Sequence, residues 1–287
     1  MLTLGWGFNW PVMKIALTEM APMHFRTWCL SAGAIGLFAI ARANGLTMRI
    51  PQGQFGRLLA IALVNLTCWN VFAIYGIPLL SSGRAAILGY TMPVWSVPLS
   101  LWLLKEPVSG RRVLGMVLGF AGMLALLGSE LQAVERSPLG ALLLMGAAFC
   151  WALGTVMIKR WPVNLPGTSF TAWQMALGGI PIFAYAILFE SGSFDLRALS
   201  AGPLLATLYN MFVAFILCFW AWMTIARNAS VGAASIAVLM TPVVGVFSGM
   251  LLLGEQPHWL DYLALTLVVL SISTVINPKT IVQVLND

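Results

Sequence analysis

Charged side chains are scarce in this 287-residue chain. Asp, Glu, Lys and Arg make up 8% of it, whereas hydrophobic residues make up 60%. A soluble domain carries about 25% charged residues, so a composition this apolar would leave many hydrophobic side chains facing water. The lipid bilayer is the solvent that fits. The excess of 15 Lys and Arg over 9 Asp and Glu then belongs mainly to cytoplasmic loops and does not indicate nucleic-acid binding.

Residues that build metal and catalytic centres are few as well. The chain has two histidines and four cysteines, and neither histidine lies near a cysteine or carboxylate cluster. The cysteines fall in apolar stretches, at spacings that suit neither a zinc site nor a disulfide framework, and we interpret them as small apolar fillers. The patterns H-E-x-x-H, G-x-S-x-G, the P-loop and the dinucleotide fingerprint do not occur. We therefore predict no metal, no cofactor and no enzyme activity.

Long apolar runs take up most of the chain. About 20 mostly apolar residues cross a bilayer, and ten segments meet or approach that length. They cover roughly residues 2–17, 23–42, 56–78, 83–104, 111–128, 138–158, 168–189, 202–225, 231–253 and 259–277. The connections are short, and no cleavable signal peptide is evident. The sequence predicts an all-α integral membrane protein whose short first segment either spans under strain or lacks residues upstream.

The ten segments form two matching sets of five. At one constant offset, four residues around the fourth segment match four around the ninth: Ser81 with Ser230, Gly83 with Gly232, Pro93 with Pro242, and Glu106 with Glu255. Trp6 and Lys14 of the first segment match Trp151 and Lys159 of the sixth. The offset grows by four residues between the second and fourth segments, so the third helix or its loops differ in length. We predict two five-helix repeats, residues 1–130 and 138–280.

An odd number of helices in each repeat inverts the second repeat in the membrane. Loop charges agree, because the loop after the second segment carries Arg42, Arg49 and Arg57, whereas its counterpart carries only Arg197. With both termini in the cytoplasm, ten of the 15 basic residues fall inside and five outside, as the positive-inside rule requires. We predict this orientation, in a bacterial inner (plasma) membrane.

Matched prolines predict hinges. An isolated proline in a membrane helix is typical of a packing kink. Pro93 and Pro242, however, interrupt corresponding helices in both repeats. Each frees a backbone carbonyl that must face protein or a wet cavity. Inverted repeats place a binding site at the midplane between the halves, and we predict that these two helices bend there.

Polar and aromatic residues near mid-span predict the wall of that site. Buried amides need partners in lipid, and mid-span tryptophans fit the interfacial belt of Trp102, Trp161 and Trp259 poorly, which leaves core packing and cavity lining as alternatives. The predicted substrate-binding residues are Asn9, Trp10, Trp69, Tyr75, Tyr90, Thr91, Trp95, Trp151, Thr155, Asn210 and Trp220.

Charged residues near the helix ends have plainer interpretations. Lys14 can extend to the interface. His24 and Arg26 begin the second segment and either form a gate or lie at the interface, and Glu106 and Glu255 are expected to cap neighbouring backbone. Gly115-x-x-x-Gly119 fits close helix approach, either inside the chain or at a dimer face.

The combined pattern resembles the EamA-type branch of the drug/metabolite transporter superfamily. The resemblance rests on Trp6-Gly7, on the small-residue run Gly83–Ala86 leading to Pro93, and on a closing Leu-Leu-x-Glu, much of it repeated in the second half. It implies ten helices, a central cavity built by helices 1–4 and 6–9, and helices 5 and 10 outside it. Family members export amino acids, metabolites or drugs. The chain departs from the pattern in its short first helix and at Pro107, and it is similar to the aromatic amino-acid exporters in its richness in Trp and Tyr.

The sequence thus predicts a carrier that exports small amphipathic solutes, amino acids first, by alternating access. The alternatives are a multidrug or nucleotide-sugar-type carrier and an intramembrane lipid-modifying enzyme. Its partners are the bilayer and a small-molecule substrate, with no nucleic acid, and it is either a monomer or a homodimer. Because all nine acidic residues fall at helix ends, in loops or at the terminus, we predict transport without proton coupling or with only loose coupling.

Overall fold

The computed structural model describes residues 1–105, 110–132, 138–222 and 240–275. Those residues form helices and loops, and no β-strand occurs among them. The helices are α1 (Leu2–Ala16), α2 (Pro22–Ala43), α3 (Phe55–Leu79), α4 (Ser82–Leu104), α5 (Gly110–Gln132), α6 (Leu139–Arg160), α7 (Gly167–Phe189), α8 (Ala201–Trp222), α9 (Thr241–Leu253) and α10 (Trp259–Val275). Each of them overlaps one of the apolar segments that the sequence predicts.

Helix length and composition make this an integral membrane protein. By those two measures α3, α4, α6, α7 and α8 can each cross a bilayer, and the shorter apolar helices include Val113–Leu126, Thr241–Leu253 and Trp259–Thr274. Large apolar side chains such as Leu101, Ile180 and Leu188 are exposed on the outer faces, where lipid would cover them. Trp102, Trp161 and Trp259 are exposed near helix ends, as expected of residues in an interfacial belt.

Helices α3 and α8 are each interrupted by π-helical turns. The π stretch covers Leu63–Cys68 in α3 and Tyr209–Leu217 in α8. A π turn inserts backbone into the helix and re-aims the side chains that follow, and such turns occur often at functional sites. The two stretches contain six and nine residues, so the third helices of the two predicted repeats differ in backbone geometry.

Helix α4 is broken in its middle. Its first half ends at Gly89, Tyr90 and Thr91 form a turn, and the second half begins at Met92. The Thr91 hydroxyl donates to the Leu88 carbonyl over 2.6 Å. Pro93 lies in the first turn of the second half, where a missing N–H costs nothing. The interruption therefore precedes the proline.

The corresponding proline has the same local position in α9. Pro242 lies in the first turn of Thr241–Leu253, again where its missing N–H is tolerated. The half of the predicted ninth segment that would precede it falls outside the described residues.

Small residues bring the central helices close together. A Cβ atom added to Gly7 of α1 would meet Val244 of α9. One added to Gly245 would lie 2.6 Å from Ala86 Cβ in α4. Both glycines therefore permit an approach that no side chain would allow.

Helices α5 and α10 pair with each other beside this core. Ser271 Oγ donates to the Gly115 carbonyl over 2.6 Å, and a Cβ atom on Gly119 would meet Val94. The glycine pattern of helix 5 is thus used for packing inside the chain, which was one of its two interpretations.

Candidate functional site

A cavity of about 180 Å³ lies between the helices of the two halves. An apolar cavity of about 150 Å³ can bind benzene, so this cavity has room for several waters or for a small aromatic ring. Its described wall comes from α1, α2, α3, α4, α6 and α8 and consists of Trp6, Asn9, Trp10, Met13, Arg26, Leu66, Trp69, Asn70, Ala73, Ile77, Tyr90, Met92, Trp151, Ala214, Phe215, Phe219 and Trp222. Helices α5 and α10 contribute none of these residues, as the resemblance implies. The described parts of α7 and α9 contribute none either, although the resemblance implies that both helices line the cavity.

Aromatic rings form much of this wall in edge-to-face contacts. The Trp69 and Trp151 ring centroids are 5.1 Å apart with planes at 64°, and those of Trp6 and Phe219 are 5.3 Å apart at 75°. Such geometry favours aromatic pairs beyond the area they bury. Trp6 and Trp151 are matched positions of the two predicted repeats, and they lie on the same cavity.

Hydrogen bonds to the backbone hold both of these tryptophan positions. Asn65 Nδ2 donates to the Trp151 carbonyl over 3.1 Å, and the absence of a side chain at Gly154 lets Asn65 approach. Trp6 Nε1 donates to the Ala214 carbonyl over 3.2 Å. The Trp6 ring and the Trp151 backbone are therefore anchored before any solute enters.

Two amide oxygens on the wall accept no hydrogen bond from the described residues. Asn9 Oδ1 and Asn70 Oδ1 are buried, and no described residue donates to either. The amide nitrogen of Asn70 is already used, since it donates to the Leu66 carbonyl over 2.7 Å. Buried polar atoms are normally satisfied, so these oxygens are acceptors available to a bound solute or to water.

Arg26 is the charged residue of the described wall. It is 3% exposed, and its Nη2 donates to the thioether sulfur of Met13 over 3.0 Å. Sequence reasoning placed it at a gate or at the interface. The signal that identifies it is an ionisable residue inside an apolar segment, which is a functional-site hypothesis in its own right.

Five of the predicted substrate-binding residues lie on the wall. They are Asn9, Trp10, Trp69, Tyr90 and Trp151. Trp10 and Tyr90 contact each other edge to face, with ring centroids 6.2 Å apart. These five residues come from four different helices, and the cavity brings them together.

The other six predicted residues do not line the cavity. Trp95 packs edge to face on Phe120 and Phe149, with centroids 5.3 and 5.7 Å away. This is the core-packing alternative for a tryptophan. Tyr75 packs against the core, and Thr91 is hydrogen-bonded within the α4 break. Thr155 is exposed and donates to the Trp151 carbonyl, whereas Asn210 is buried and donates to the Ala206 carbonyl. Trp220 is exposed on α8.

A network of charged groups lies at one end of the helix bundle, next to the end of α1. The Glu255 carboxylate accepts from the Ser82 N–H over 2.8 Å and from the Gly83 N–H over 3.4 Å. Lys14 Nζ donates to Glu255 Oε1 over 3.0 Å and to the Leu80 carbonyl over 2.9 Å. A carboxylate at a helix N-terminus is stabilised by the free amides and the helix dipole. Glu255 therefore caps backbone as the sequence predicts. Lys14 forms an ion pair with Glu255, whereas the sequence predicts that its side chain extends to the membrane interface.

Two further carboxylates at the same end accept hydrogen bonds from neighbouring helices. Glu190 accepts from the backbone amides of Met23 and His24, both over 2.9 Å, and from His24 Nδ1 over 2.8 Å. Asp261 Oδ1 accepts from Arg84 Nε over 2.6 Å. These contacts join α7 to α2 and α10 to α4. Glu106, the other predicted cap, falls outside the described residues.

The α1–α2 loop is fixed at this end as well. Glu19 accepts from the hydroxyl of Ser200 over 2.6 Å and from its amide over 2.7 Å. These bonds, the hydroxyl first, hold the pKa of the Glu19 carboxyl below its usual value.

Comparison with known proteins identifies the family. The sequence pattern of the EamA-like transporter family matches residues 1–128 and again residues 138–277. The chain belongs to this family. An EamA-like transporter is an integral membrane protein, in agreement with the apolar helices and the central cavity.

Several bacterial transporters are similar to this EamA-like chain along most of their length. The uncharacterised transporter YoaV of Bacillus subtilis (strain 168) is 26% identical over 259 residues, which are 89% of this chain and 87% of that protein. A protein of Escherichia coli (strain K12) named "Probable amino-acid metabolite efflux pump" is 24% identical over 93% of this chain and 90% of its own length. A solved crystal structure superposes with a TM-score of 0.68 at 18% identity, covering 96% of this chain and 94% of the other, which shows a shared fold.

Proposed function

We propose that this EamA-like transporter exports small amphipathic metabolites, foremost amino acids that include the aromatic ones. The observation that carries the proposal is the cavity wall, where indole and phenyl rings surround a few polar atoms without partners. Apolar walls with a small number of placed polar groups suit a ligand with an apolar body and a polar head. The name of the E. coli relative supports an amino-acid-derived solute.

We also propose that ten helices span the membrane as two inverted repeats, residues 1–130 and 138–280. The two separate family matches support this division. The shared position of Trp6 and Trp151 on one cavity supports a pseudo-symmetric site between the halves. With both termini in the cytoplasm of a bacterial cell, the end that carries Lys14, Ser82 and Glu255 faces outward across the inner membrane.

Alternating access then starts from a state that is closed on this outer side. Glu255, Lys14 and Ser82 tie α9, α1 and α4 together there. Export requires these bonds to open, so that the cavity reaches the outside. The break at Tyr90–Thr91, beside Pro93, supplies a point at which α4 can bend. Of the predicted substrate-binding residues we retain Asn9, Trp10, Trp69, Tyr90 and Trp151.

Uptake of labelled solutes into proteoliposomes tests the proposal. Vesicles containing the full chain are offered Phe, Trp, Leu, Glu, a lipophilic cation and a nucleotide sugar, with protein-free vesicles as the control. We expect Phe, Trp and Leu to equilibrate faster than in the control. If only the lipophilic cation or the nucleotide sugar entered faster, the alternative of a multidrug or nucleotide-sugar-type carrier would replace the amino-acid exporter.

A further inference from the structure

Arg26 carries a buried positive charge that no carboxylate of the described residues neutralises. The residue is 3% exposed, and it forms no ion pair with any carboxylate of the described residues. Among the described residues, its hydrogen-bond acceptor is the sulfur of Met13, which is a weak acceptor. Its Nε has no partner among the described residues. A charge removed from water without a counter-ion is strongly unfavourable, so this site is incomplete as it stands.

Two aromatic rings lie close to the guanidinium group of Arg26. Arg26 Cζ lies 5.4 Å from the ring centroid of Phe25 and 5.7 Å from that of Phe215. Such cation–π contacts offset part of the desolvation. The rings provide no oxygen acceptor, so the Nε–H of Arg26 stays without a partner among the described residues.

The predicted repeats are asymmetric at this position. At the offset that matches Trp6 with Trp151, the counterpart of Arg26 is Thr171 in α7. Thr171 is buried, but it does not line the cavity. The charge therefore belongs to the binding side of the first repeat and is not a shared packing feature of both second helices.

The unpartnered polar atoms of the wall have complementary character. Arg26 offers donors, whereas Asn9 Oδ1 and Asn70 Oδ1 offer acceptors. A carboxylate needs hydrogen-bond donors, and an ammonium group needs acceptors. Between them the wall is aromatic and apolar, which suits the side chain that such a head group carries.

We infer that Arg26 binds the carboxylate of the transported solute, and that the amide oxygens of Asn9 and Asn70 receive its ammonium group. The inference rests on the proposed function and deepens it. The cavity then selects solutes with a free carboxylate and an apolar or aromatic body, and it rejects the corresponding amines. Arg26 is the specificity-determining residue because it alone on the described wall supplies a full charge.

Three related compounds distinguish the contribution of the carboxylate to binding from that of the ammonium group. Purified full-length protein in lipid nanodiscs is titrated with phenylalanine, with 3-phenylpropionate, which lacks the ammonium group, and with phenethylamine, which lacks the carboxylate. Binding of each is measured by thermal shift and by competition against labelled phenylalanine. A hydrogen-bonded charge pair in a buried site corresponds to a change of about tenfold or more in affinity. We expect phenethylamine to bind at least about tenfold more weakly than phenylalanine, and 3-phenylpropionate to keep measurable affinity.

Variants of Arg26 test whether this residue causes the preference for phenylalanine over phenethylamine. In Arg26→Gln we expect phenylalanine to lose at least about tenfold in affinity while phenethylamine changes little. Arg26→Lys should restore part of the preference, because it restores the charge. Thr171→Val, the matched change in the second repeat, should leave the ratio of the two affinities as it is in the unchanged protein. The thermal midpoint without ligand shows whether each variant is folded, and the wild-type comparison of the three compounds needs no variant.

Each outcome decides between the inference and the proposed function. Equal affinity of the unchanged protein for phenethylamine and phenylalanine, or an unaltered ratio in folded Arg26→Gln, overturns the role of Arg26 and leaves amino-acid transport standing. Binding of 3-phenylpropionate in preference to phenethylamine, without uptake of amino acids by proteoliposomes, supports Arg26 as a carboxylate anchor and overturns the amino-acid exporter. Binding of none of the three overturns both.

Discussion

Trp95 and Trp151 are similar tryptophans in different surroundings. Both were predicted to bind substrate, yet Trp151 lies on the cavity wall against Trp69, and Trp95 packs on Phe120 and Phe149. Both lie near mid-span, so depth in the membrane does not distinguish them. The direction of each side chain relative to its neighbouring helices does.

Trp151→Ala should raise the apparent KM for phenylalanine about tenfold, with little effect on insertion into the membrane. The reason is the loss of ring contact with the solute and with Trp69, worth on the order of 1.4 kcal/mol. Initial rates of phenylalanine uptake into proteoliposomes over a range of concentrations measure this change.

Trp95→Ala is the matched control. We expect it to leave the KM within about twofold and to lower stability by on the order of 3 kcal/mol, because it removes a large side chain from a packed site. A raised KM in Trp95→Ala with an unchanged KM in Trp151→Ala would reverse the assignment of the two residues.

Polarity and depth in the sequence identify part of the wall, and the rest escapes them for a physical reason. These two criteria select Asn9 and Trp69. They do not select Trp6, Phe215 or Arg26. Residues Ala214 and Phe215 lie in a π stretch, where the regular helical spacing of faces no longer holds, and Arg26 lies close enough to a helix start to be taken for an interfacial residue.

At the scale of elements, the ion-paired end connects helices that are distant in sequence. Glu255 and Ser82 are 173 residues apart. The sequence predicts that Glu255 caps backbone, because it follows a helix, but it does not predict which helix N-terminus it meets. That depends on how α9 packs beside α4, where Gly245 and Gly249 permit the approach.

Glu255→Gln should loosen this closed end. The amide keeps one acceptor but loses the charge that pairs with Lys14 and with the first amides of α4, and hydrogen bonds to charged groups are worth about 1.5–3 kcal/mol each. In a background without native cysteines, Met13→Cys in the cavity should then react faster with a membrane-impermeant maleimide added on that side.

Asp195→Asn is the control for this prediction, since Asp195 is exposed and its carboxylate accepts from the Arg197 N–H over 2.9 Å, within its own loop. We expect it to leave the labelling rate unchanged. Equal labelling rates in Glu255→Gln and in the parent protein would show that Glu255 does not hold this end closed.

Pro93→Ala should slow transport severalfold while changing stability little. The alanine N–H extends the helix across the break at Tyr90–Thr91 and stiffens α4, whereas the proline lies where its missing N–H costs nothing. Flux and the thermal midpoint are compared with those of Pro181→Ala, a helix-interior proline of α7. Wild-type flux in both Pro93→Ala and Pro242→Ala would contradict the hinge.

For the molecule as described, the sequence was sufficient for the type and approximate place of each described helix. A membrane helix needs only a long apolar run, which is a local property. The sequence also indicated the family, because the two sets of motifs keep a constant spacing. The cavity could not be located in this way, since it depends on which faces of six helices meet.

The distribution of carboxylates predicts the energetics of the whole carrier. Glu190, Glu255 and Asp261 are bonded at one end of the helix bundle, and no carboxylate lies on the described cavity wall. Proton-driven carriers commonly use an acidic residue within the membrane that is protonated on one side and released on the other. We therefore expect transport down the gradient of the solute itself, with at most loose proton coupling.

Counterflow of labelled phenylalanine tests transport through this cavity most directly. Proteoliposomes are loaded with unlabelled phenylalanine and diluted into a trace of labelled phenylalanine, with identical pH and ions on both sides. We predict transient accumulation of label that Trp151→Ala weakens and Trp95→Ala preserves in folded protein. No counterflow without an ion gradient, together with accumulation above equilibrium that an imposed pH gradient drives and an uncoupler abolishes, would contradict the prediction and require a proton-carrying group on the transport path.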